Sequence, residues 1–285
     1  MALPDIPTVL SIAGSDPSGG AGIQADLKTF MAAGVYGMAV LAGLTAQNTT
    51  KVAAAIPVSA DFVKKQLESV FSDIRVDAIK LGMLPNREIC QAIVPFLGEC
   101  PVVCDPVMVA TSGGQLIDTS AVSALMELIL PRSDFVTPNL YELGILYGKP
   151  VEDLVDAGMS ILVRYPNLNG IALKGGHRPD PEGTVTDIFL YRNSEGGISQ
   201  LSEIHAFIDT QNTHGTGCTF SSALAAGLAK KEEPADAFVR AVRLTHRLIE
   251  VSRDARIGHG HGPLLHHRFM VPWVFKREPR TDPKP

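Results

Sequence analysis

The run Asn212-Thr213-His214-Gly215-Thr216-Gly217-Cys218-Thr219 concentrates the residue types best suited to chemistry in this chain. A glycine-rich turn leads into a small-residue helical pattern of Phe220, Ala223, Leu224, Gly227 and Leu228. Backbone N–H groups converge at such a helix start, and the helix dipole adds positive potential there. The charge that such a point stabilises is an anion, or a phosphoryl group in transfer. Cys218 falls in the first turn, where a lowered thiol pKa would suit a base or a nucleophile. A helix start that needs glycine only for its backbone angles explains the same residues.

Four further polar clusters follow short apolar runs. The first is Gly14-Ser15-Asp16-Pro17-Ser18-Gly19-Gly20-Ala21-Gly22, which lets a ligand approach the backbone closely. It is neither a G-x-G-x-x-G fingerprint nor a Walker A loop, since no Gly-Lys-Ser/Thr follows. The others are Asp105-Pro106-Val107-Met108, Thr137-Pro138-Asn139-Leu140-Tyr141-Glu142 and Leu173-Lys174-Gly175-Gly176-His177. Carboxylates hold magnesium, often through water, and a lysine offsets phosphate charge. By residue type alone, Asp105 equally suits a helix cap, Glu142 a first-turn charge and Lys174 a solvated turn.

The elements that must position these clusters alternate. Buried strands are expected at Thr8 to Ala13, Ala78 to Leu81, Val102 to Cys104, Phe135 to Thr137 and Gly170 to Leu173. Apolar faces at helical spacing mark Ala21 to Ala33, Ala60 to Phe71, Arg87 to Leu97 and Ser120 to Leu130. Tyr141 to Tyr147, Leu154 to Tyr165 and Pro234 to Ser252 read likewise. Strand–helix alternation implies an α/β fold with a mostly parallel central sheet and helices on both faces. Thr184 to Tyr191 and Ile198 to Phe207, joined by a Gly-rich turn, suggest an antiparallel edge. In such sheets ligands gather at the C-terminal strand edges, where the clusters fall.

Composition narrows the function. The chain has 285 residues, 45% hydrophobic and 19% charged, with a net charge of −5. Without a basic block, nucleic acid and anionic membrane are poor partners. The N-terminal residues lack a basic n-region, and Ser11 interrupts the apolar run, so neither a signal peptide nor a spanning helix is expected. Cys90, Cys100, Cys104 and Cys218 form no C-x-x-C pair, which fits a reducing cytoplasm rather than structural zinc. His259, His261, His266 and His267 lack the helical spacing of a metal pair.

Taken together, AGSDPSGGAGIQADLKTF, LTAQNT, FSDIRVDAIKLGML, DPVMVATSG, TPNLYEL, LKGGH and NTHGTGCT resemble the hydroxymethylpyrimidine/phosphomethylpyrimidine kinases of thiamine biosynthesis, within the ribokinase-like superfamily. The resemblance runs from about residue 8 to 263 in the family's order. It implies one ribokinase-like domain over residues 1–268, with a loose tail over 269–285. It also implies ATP with Mg2+, a homodimer, and two successive phosphorylations of 4-amino-5-hydroxymethyl-2-methylpyrimidine.

Motif by motif, Gly215, Thr216 and Gly217 match the family's anion hole and Cys218 its catalytic base. Gln47 matches the glutamine that reads the pyrimidine, where a carboxamide pairs with a ring nitrogen and the exocyclic amine. Ala21, Met83 and Val107 match pocket residues that pack on the ring, and Asp16 borders the hydroxymethyl group. Asn139 and Lys174 match nucleotide residues. Glu142 matches a magnesium residue, and Asp105 joins that site through water. His214 suits either the product phosphate or turn stabilisation. A pyridoxal kinase of the same superfamily is the nearest alternative. A non-catalytic sensor of the precursor is disfavoured by the intact Cys218, Lys174, Asn139 and Glu142.

Overall fold

The computed structural model describes residues 5–108, 119–176 and 179–269. Nine strands form one sheet: β1 (Thr8–Ser15), β2 (Tyr36–Gln47), β3 (Val52–Pro57), β4 (Ala78–Leu81), β5 (Val102–Cys104), β6 (Phe135–Val136), β7 (Gly170–Leu173), β8 (Thr184–Arg192) and β9 (Ile198–Ala206). The spatial order is β3-β2-β1-β4-β5-β6-β7-β8-β9. The run from β2 to β7 is parallel, whereas β3, β8 and β9 pair antiparallel. The expected mostly parallel, ribokinase-like sheet with an antiparallel edge is therefore present.

Helices cover both faces: α1 (Gly22–Ala32), α2 (Ala60–Phe71), α3 (Arg87–Ile93), α4 (Thr119–Ala124), α5 (Leu140–Tyr147), α6 (Leu154–Arg164), α7 (Thr216–Ala229) and α8 (Pro234–Ser252). Strand residues alternate between two cores. Leu10, Ile12, Ile79 and Leu81 join one, with Val63, Leu67 and Ile89. Val9, Ala78 and Val103 join the other, with Phe30, Phe220, Leu224 and Phe238. The same period-two rule sends Ser11 and Lys80 towards α1 and α7.

Polar side chains set several helix starts. Ser59 accepts from Phe62 N, Asn86 from Ile89 N, and Asp153 from Asp156 N. Two helices end before their apolar pattern does. The expected helix to Leu97 stops at Ile93 and gives way to a 3-10 turn, Val94–Phe96. Pro95 lacks the N–H that would continue the ladder. The expected helix from Ser120 to Leu130 becomes a π turn at Leu125–Ile129 and a 3-10 turn at Leu130–Arg132, which carries Pro131. A 3-10 turn runs over His266–Phe269. Residues 270–285, the end of the DPVMVATSG motif and His177 lie outside the described residues.

The chain reverses direction across the sheet between β1 and β4. From β1 it runs outward to β2, and from β4 it runs the other way. Ligand crevices in α/β folds form at such a point. The glycine-rich segment after β1 and Met83 after β4 flank it.

Candidate active site

The loop expected to form the anion hole is built from the α7 N-terminus. Gly215 caps the helix with φ +85° and ψ 10°, in the left-handed region. A Cβ there would lie 1.9 Å from the Gly20 carbonyl oxygen, so glycine serves both the backbone angle and the close approach. The Thr216 N–H is taken by the Thr213 carbonyl at 3.2 Å. The N–H groups of Gly217 and Cys218 belong to the first turn, which offers them no intrahelical partner. A Cβ on Gly217 would sit 3.4 Å from Lys174 Nζ and 3.6 Å from Asp105 Oδ2. The α7 N-terminus, where the anion hole is expected, thus faces a cation and a carboxylate directly.

Cys218 departs from expectation. Burial pushes its thiol up to about 12, against the Lys80 ammonium, which favours the thiolate. Asp26 and Asp105 push it further up, while the Gly22 N–H works with Lys80. The lowered pKa expected at a helix start is overturned by desolvation and two nearby carboxylates. The resting thiol is protonated at neutral pH.

Lys174 Nζ lies 3.5 Å from Asp105 Oδ1. Burial disfavours the Lys174 charge, but Asp105 and Glu142 outweigh it and hold the amine above its usual range. Lys174 is therefore no solvated turn lysine. Asp105 also accepts from Thr137 Oγ1 at 3.2 Å and from Ser221 Oγ at 3.3 Å. Asn139 and Glu142 form a capping box on α5, each side chain accepting from the other's backbone N–H at 2.9 Å. Burial raises the Glu142 carboxyl to about 7, Lys174 opposes the shift and Asp105 adds to it. Among the described residues no group of three or more His, Cys, Asp or Glu side chains converges as a metal cage. Two carboxylates beside an anion hole fit magnesium, which takes one or two protein carboxylates and completes its shell with phosphate and water.

At the opposite end, Asp16 is a hub. Its carboxylate accepts from Ser18 N, Ser18 Oγ and Ala21 N at 2.9 Å, and from His214 Nε2 at 2.7 Å. Burial alone would raise the Asp16 pKa, but the His214 and Ser18 hydrogen bonds prevail and lower it. His214, expected to serve either the product phosphate or turn stabilisation, is a buried partner of Asp16. Gln47 Nε2 lies 3.4 Å from His214 Nε2. With that imidazole nitrogen donating to Asp16, the two groups are both donors and form no hydrogen bond. Thr45 Oγ1 donates to Gln47 Oε1 at 3.2 Å.

One cleft of about 1580 Å³ joins all of these residues: Asp16, Ala21, Gln47, Met83, Val107, Asp105, Asn139, Glu142, Lys174 and Gly215 to Cys218 all line it. It exceeds the space that one small molecule needs and has room for two. The far end adds residues that sequence reasoning passed over. Asp187 accepts from Gly175 N at 2.8 Å and pairs with His205 Nε2 at 3.0 Å. That contact raises the His205 pKa despite burial. The His205 and His246 rings lie 4.6 Å apart. Thr245 Oγ1 is buried without a hydrogen-bond partner and lines the cleft. An orphaned hydroxyl beside Phe207, Val242 and Ile249 fits a polar heterocycle as occupant.

Lys80 and Asp26 were missed as well. Lys80 lines the cleft floor beneath Cys218, paired with Asp26. A lysine inside the four-residue run Ala-Ile-Lys-Leu was the available signal, since a strand buried on both faces demands a partner for it.

A family model described as phosphomethylpyrimidine kinase matches residues 16–265. The hydroxymethylpyrimidine/phosphomethylpyrimidine kinase of Rhizobium meliloti is 44% identical, over 91% of this chain and 97% of that protein. A phosphomethylpyrimidine kinase structure from Clostridium difficile 630 has a TM-score of 0.71 and 35% identity, covering 86% of this chain and all of that one. The pyridoxal kinase of Staphylococcus aureus, in complex with AMP-PCP and pyridoxal, has a TM-score of 0.78 and 30% identity, over 92% and 94% of the two chains.

Proposed function

Because this chain belongs to the phosphomethylpyrimidine kinase family, and is a kinase, we propose that it phosphorylates 4-amino-5-hydroxymethyl-2-methylpyrimidine with ATP, and then the monophosphate to the diphosphate, for thiamine biosynthesis. The observation that carries this reading is the single cleft. Gln47 and the Asp16–His214 pair stand at one end, Lys174, Asp105 and Glu142 at the other, and the α7 N-terminus between them.

The ring alcohol lies against Ala21, Met83 and Val107, with Gln47 reading its nitrogen edge. Its hydroxyl oxygen bonds to the terminal phosphorus of ATP, whose bond to the bridging oxygen breaks to release ADP. Gly215, Thr216 and Gly217 cradle the transferring group, and Lys174 offsets its charge. Asn139, with Thr245 and His246, forms the nucleotide end. Asp105 and Glu142 would hold Mg2+, which would supply charge neutralisation for the phosphates. In the first step an alcohol must lose its proton, and Cys218, which follows Gly217 in the first turn of α7, is the acceptor. Its resting thiol must first pass its own proton to solvent water in the open cleft, leaving a thiolate that the buried Lys80 charge favours. In the second step the nucleophile is already a phosphate anion, so no strong base is required.

The protein works as a homodimer in the cytoplasm. β3 leaves Ala53, Ala54, Ala55 and Ile56 exposed on the sheet edge, beside Leu44, a face suited to a second copy. The four cysteines are free, and no described helix is long and apolar enough to cross a membrane. Pyridoxal is the second candidate substrate, because the pyridoxal kinase structure superposes so closely. ADP release measured side by side with the pyrimidine alcohol, the pyrimidine monophosphate and pyridoxal decides. Turnover of both pyrimidines above pyridoxal supports the reading, and preference for pyridoxal overturns it.

A further inference from the structure

The GHGHGP segment, residues 258–263, has no role in the chemistry above, yet it contacts both the hairpin that carries Gln47 and the loop that carries His214. It meets the hairpin between β2 and β3 at Thr49, two residues beyond Gln47. The Thr49 carbonyl accepts from His261 N at 2.9 Å. Thr49 Oγ1 accepts from His259 N and Gly260 N, both at 3.2 Å. The approach leaves no room for side chains. A Cβ on Gly260 would lie 2.0 Å from the Thr49 carbonyl oxygen, and one on Gly258 2.2 Å from Thr49 Oγ1. Gly258 also has φ +74°.

The other end of the segment grips the anion-hole loop. The Gly262 carbonyl accepts from His214 N at 3.1 Å, and Pro263 bridges to His214. A Cβ on Gly262 would sit 1.8 Å from Asn212 Oδ1. Asn212 in turn donates to the carbonyls of Ser252 and Ala255, at 2.7 and 2.8 Å, which ties it to the end of α8. One short segment therefore spans from Thr49, two residues beyond Gln47, to His214, the residue before Gly215.

Such a tie matters because β1 pairs with β2 only as far as Leu44, so the tip beyond Gln47 is held by its own turn and by this segment. β3 is exposed along its length, and β2 is bulged between Ala46 and Gln47. A two-stranded ribbon with a solvated face is weakly held by itself. Gln47 must nevertheless be placed within a fraction of an ångström of a ring edge to read it.

We propose that residues 258–263 are a latch that positions Gln47 relative to the anion hole, with Thr49 as its keeper and Gly258 and Gly260 as the contact points. These are positioning residues and touch neither substrate nor nucleotide. The proposal rests on the ring-reading role of Gln47 given above.

The test compares Gly260→Ala, Thr49→Val and Thr49→Ser with the unaltered protein. Gly260→Ala must push the hairpin outward. Thr49→Val keeps bulk and β-branching but loses the acceptor, and Thr49→Ser restores it. The expected result is a rise of about tenfold in KM for the ring alcohol with Thr49→Val, and more with Gly260→Ala, the scale of one or two lost hydrogen bonds. KM for ATP stays within about twofold, and Thr49→Ser resembles the parent. Amide hydrogen exchange at residues 47–52, measured without substrate, speeds up in the first two variants only. Equal changes in both KM values, no change in either, or a Thr49→Ser variant as poor as Thr49→Val overturns the latch. The ring alcohol used is whichever the unaltered enzyme prefers. A preference for pyridoxal would therefore sink the pyrimidine reading while leaving the exchange and KM comparison to judge the latch.

Discussion

Lys80 Nζ sits 3.0 Å from both carboxylate oxygens of Asp26, and both side chains are sealed from solvent. Ser11 Oγ and Ser222 Oγ complete the Asp26 shell at 2.6 and 2.8 Å. Burial disfavours the Lys80 charge, and Asp26 outweighs it, so the amine stays protonated. The pair stitches β4 to α1 and, through Ser222, to α7, the helix that carries the anion hole.

Removing one partner strands a buried charge. Lys80→Met is expected to destabilise the protein by about 3–5 kcal/mol. The double variant Lys80→Met, Asp26→Leu should regain most of that loss, because neither charge is then left alone. Urea denaturation of the parent and both variants checks this. A single variant within 1 kcal/mol of the parent would refute the pairing, on the scale of about 0–1 kcal/mol typical of exposed pairs.

Cys218→Ala should slow phosphorylation of the alcohol by roughly 10²-fold or more, and phosphorylation of the monophosphate much less. Equal losses in both half-reactions would leave the thiol a packing role. Its raised pKa gives an independent reading. Since the thiolate is the reactive form, iodoacetamide should label Cys218 slowly at neutral pH and faster as pH climbs towards about 12. Rapid labelling at pH 7 would restore the low-pKa thiol expected from the helix start alone.

Five of the parallel strands, and the clusters at their ends, were legible because three-to-six-residue apolar runs, punctuated by glycine, proline and asparagine, leave few alternatives. β3 was not, since Val52 to Pro57 is alanine-rich, exposed and poor in strand-forming residues. Local chemistry found Cys218 and Lys174 but misjudged the thiol. A helix N-terminus can be read from glycine spacing. The burial and the carboxylates of Asp26 and Asp105 come from distant segments, and they decide the sign. The Asp16–His214 and Thr49–Gly260 contacts link residues roughly 200 positions apart, which no window along the chain reveals.

Lys174→Ala should weaken ATP use in both half-reactions, because the charge it removes lies beside the triphosphate end in either step. KM for ATP and kcat are measured with the alcohol and with the monophosphate. Unchanged ATP kinetics would show that the Asp105 contact is only structural.

His266 links acid stability to the fold. It is buried, its Nε2 lies 2.9 Å from Thr219 Oγ1, and burial lowers its pKa from 6.5 to about 4. The unfolded chain binds this proton near pH 6.5 and the folded chain only near 4. Stability from this group is therefore complete above pH 6.5 and declines as pH falls towards about 4, by about 3 kcal/mol in all. His266→Gln should flatten that part of the stability–pH curve. An unaltered slope in the variant would assign the acid loss to other groups.

Gln47→Leu should damage recognition of the aminopyrimidine while leaving the fold and ATP binding nearly intact. Gln47 ends β2, lines the cleft and is only half-buried, so leucine meets no packed wall. Leucine has similar bulk but neither donor nor acceptor, and the ring's polar edge would be buried unpaired. Each group left unsatisfied costs about 1–3 kcal/mol, or roughly tenfold to a hundredfold in affinity. KM for the pyrimidine alcohol should rise by that factor, with KM for ATP unmoved. Pyridoxal turnover supplies the control, since loss of a pyrimidine reader should narrow the gap between the two rings. If neither KM moves, Gln47 does not read the ring. The selectivity would then have to come from the Asp16–His214 pair, whose buried hydrogen bond at 2.7 Å is the other polar feature at that end of the cleft.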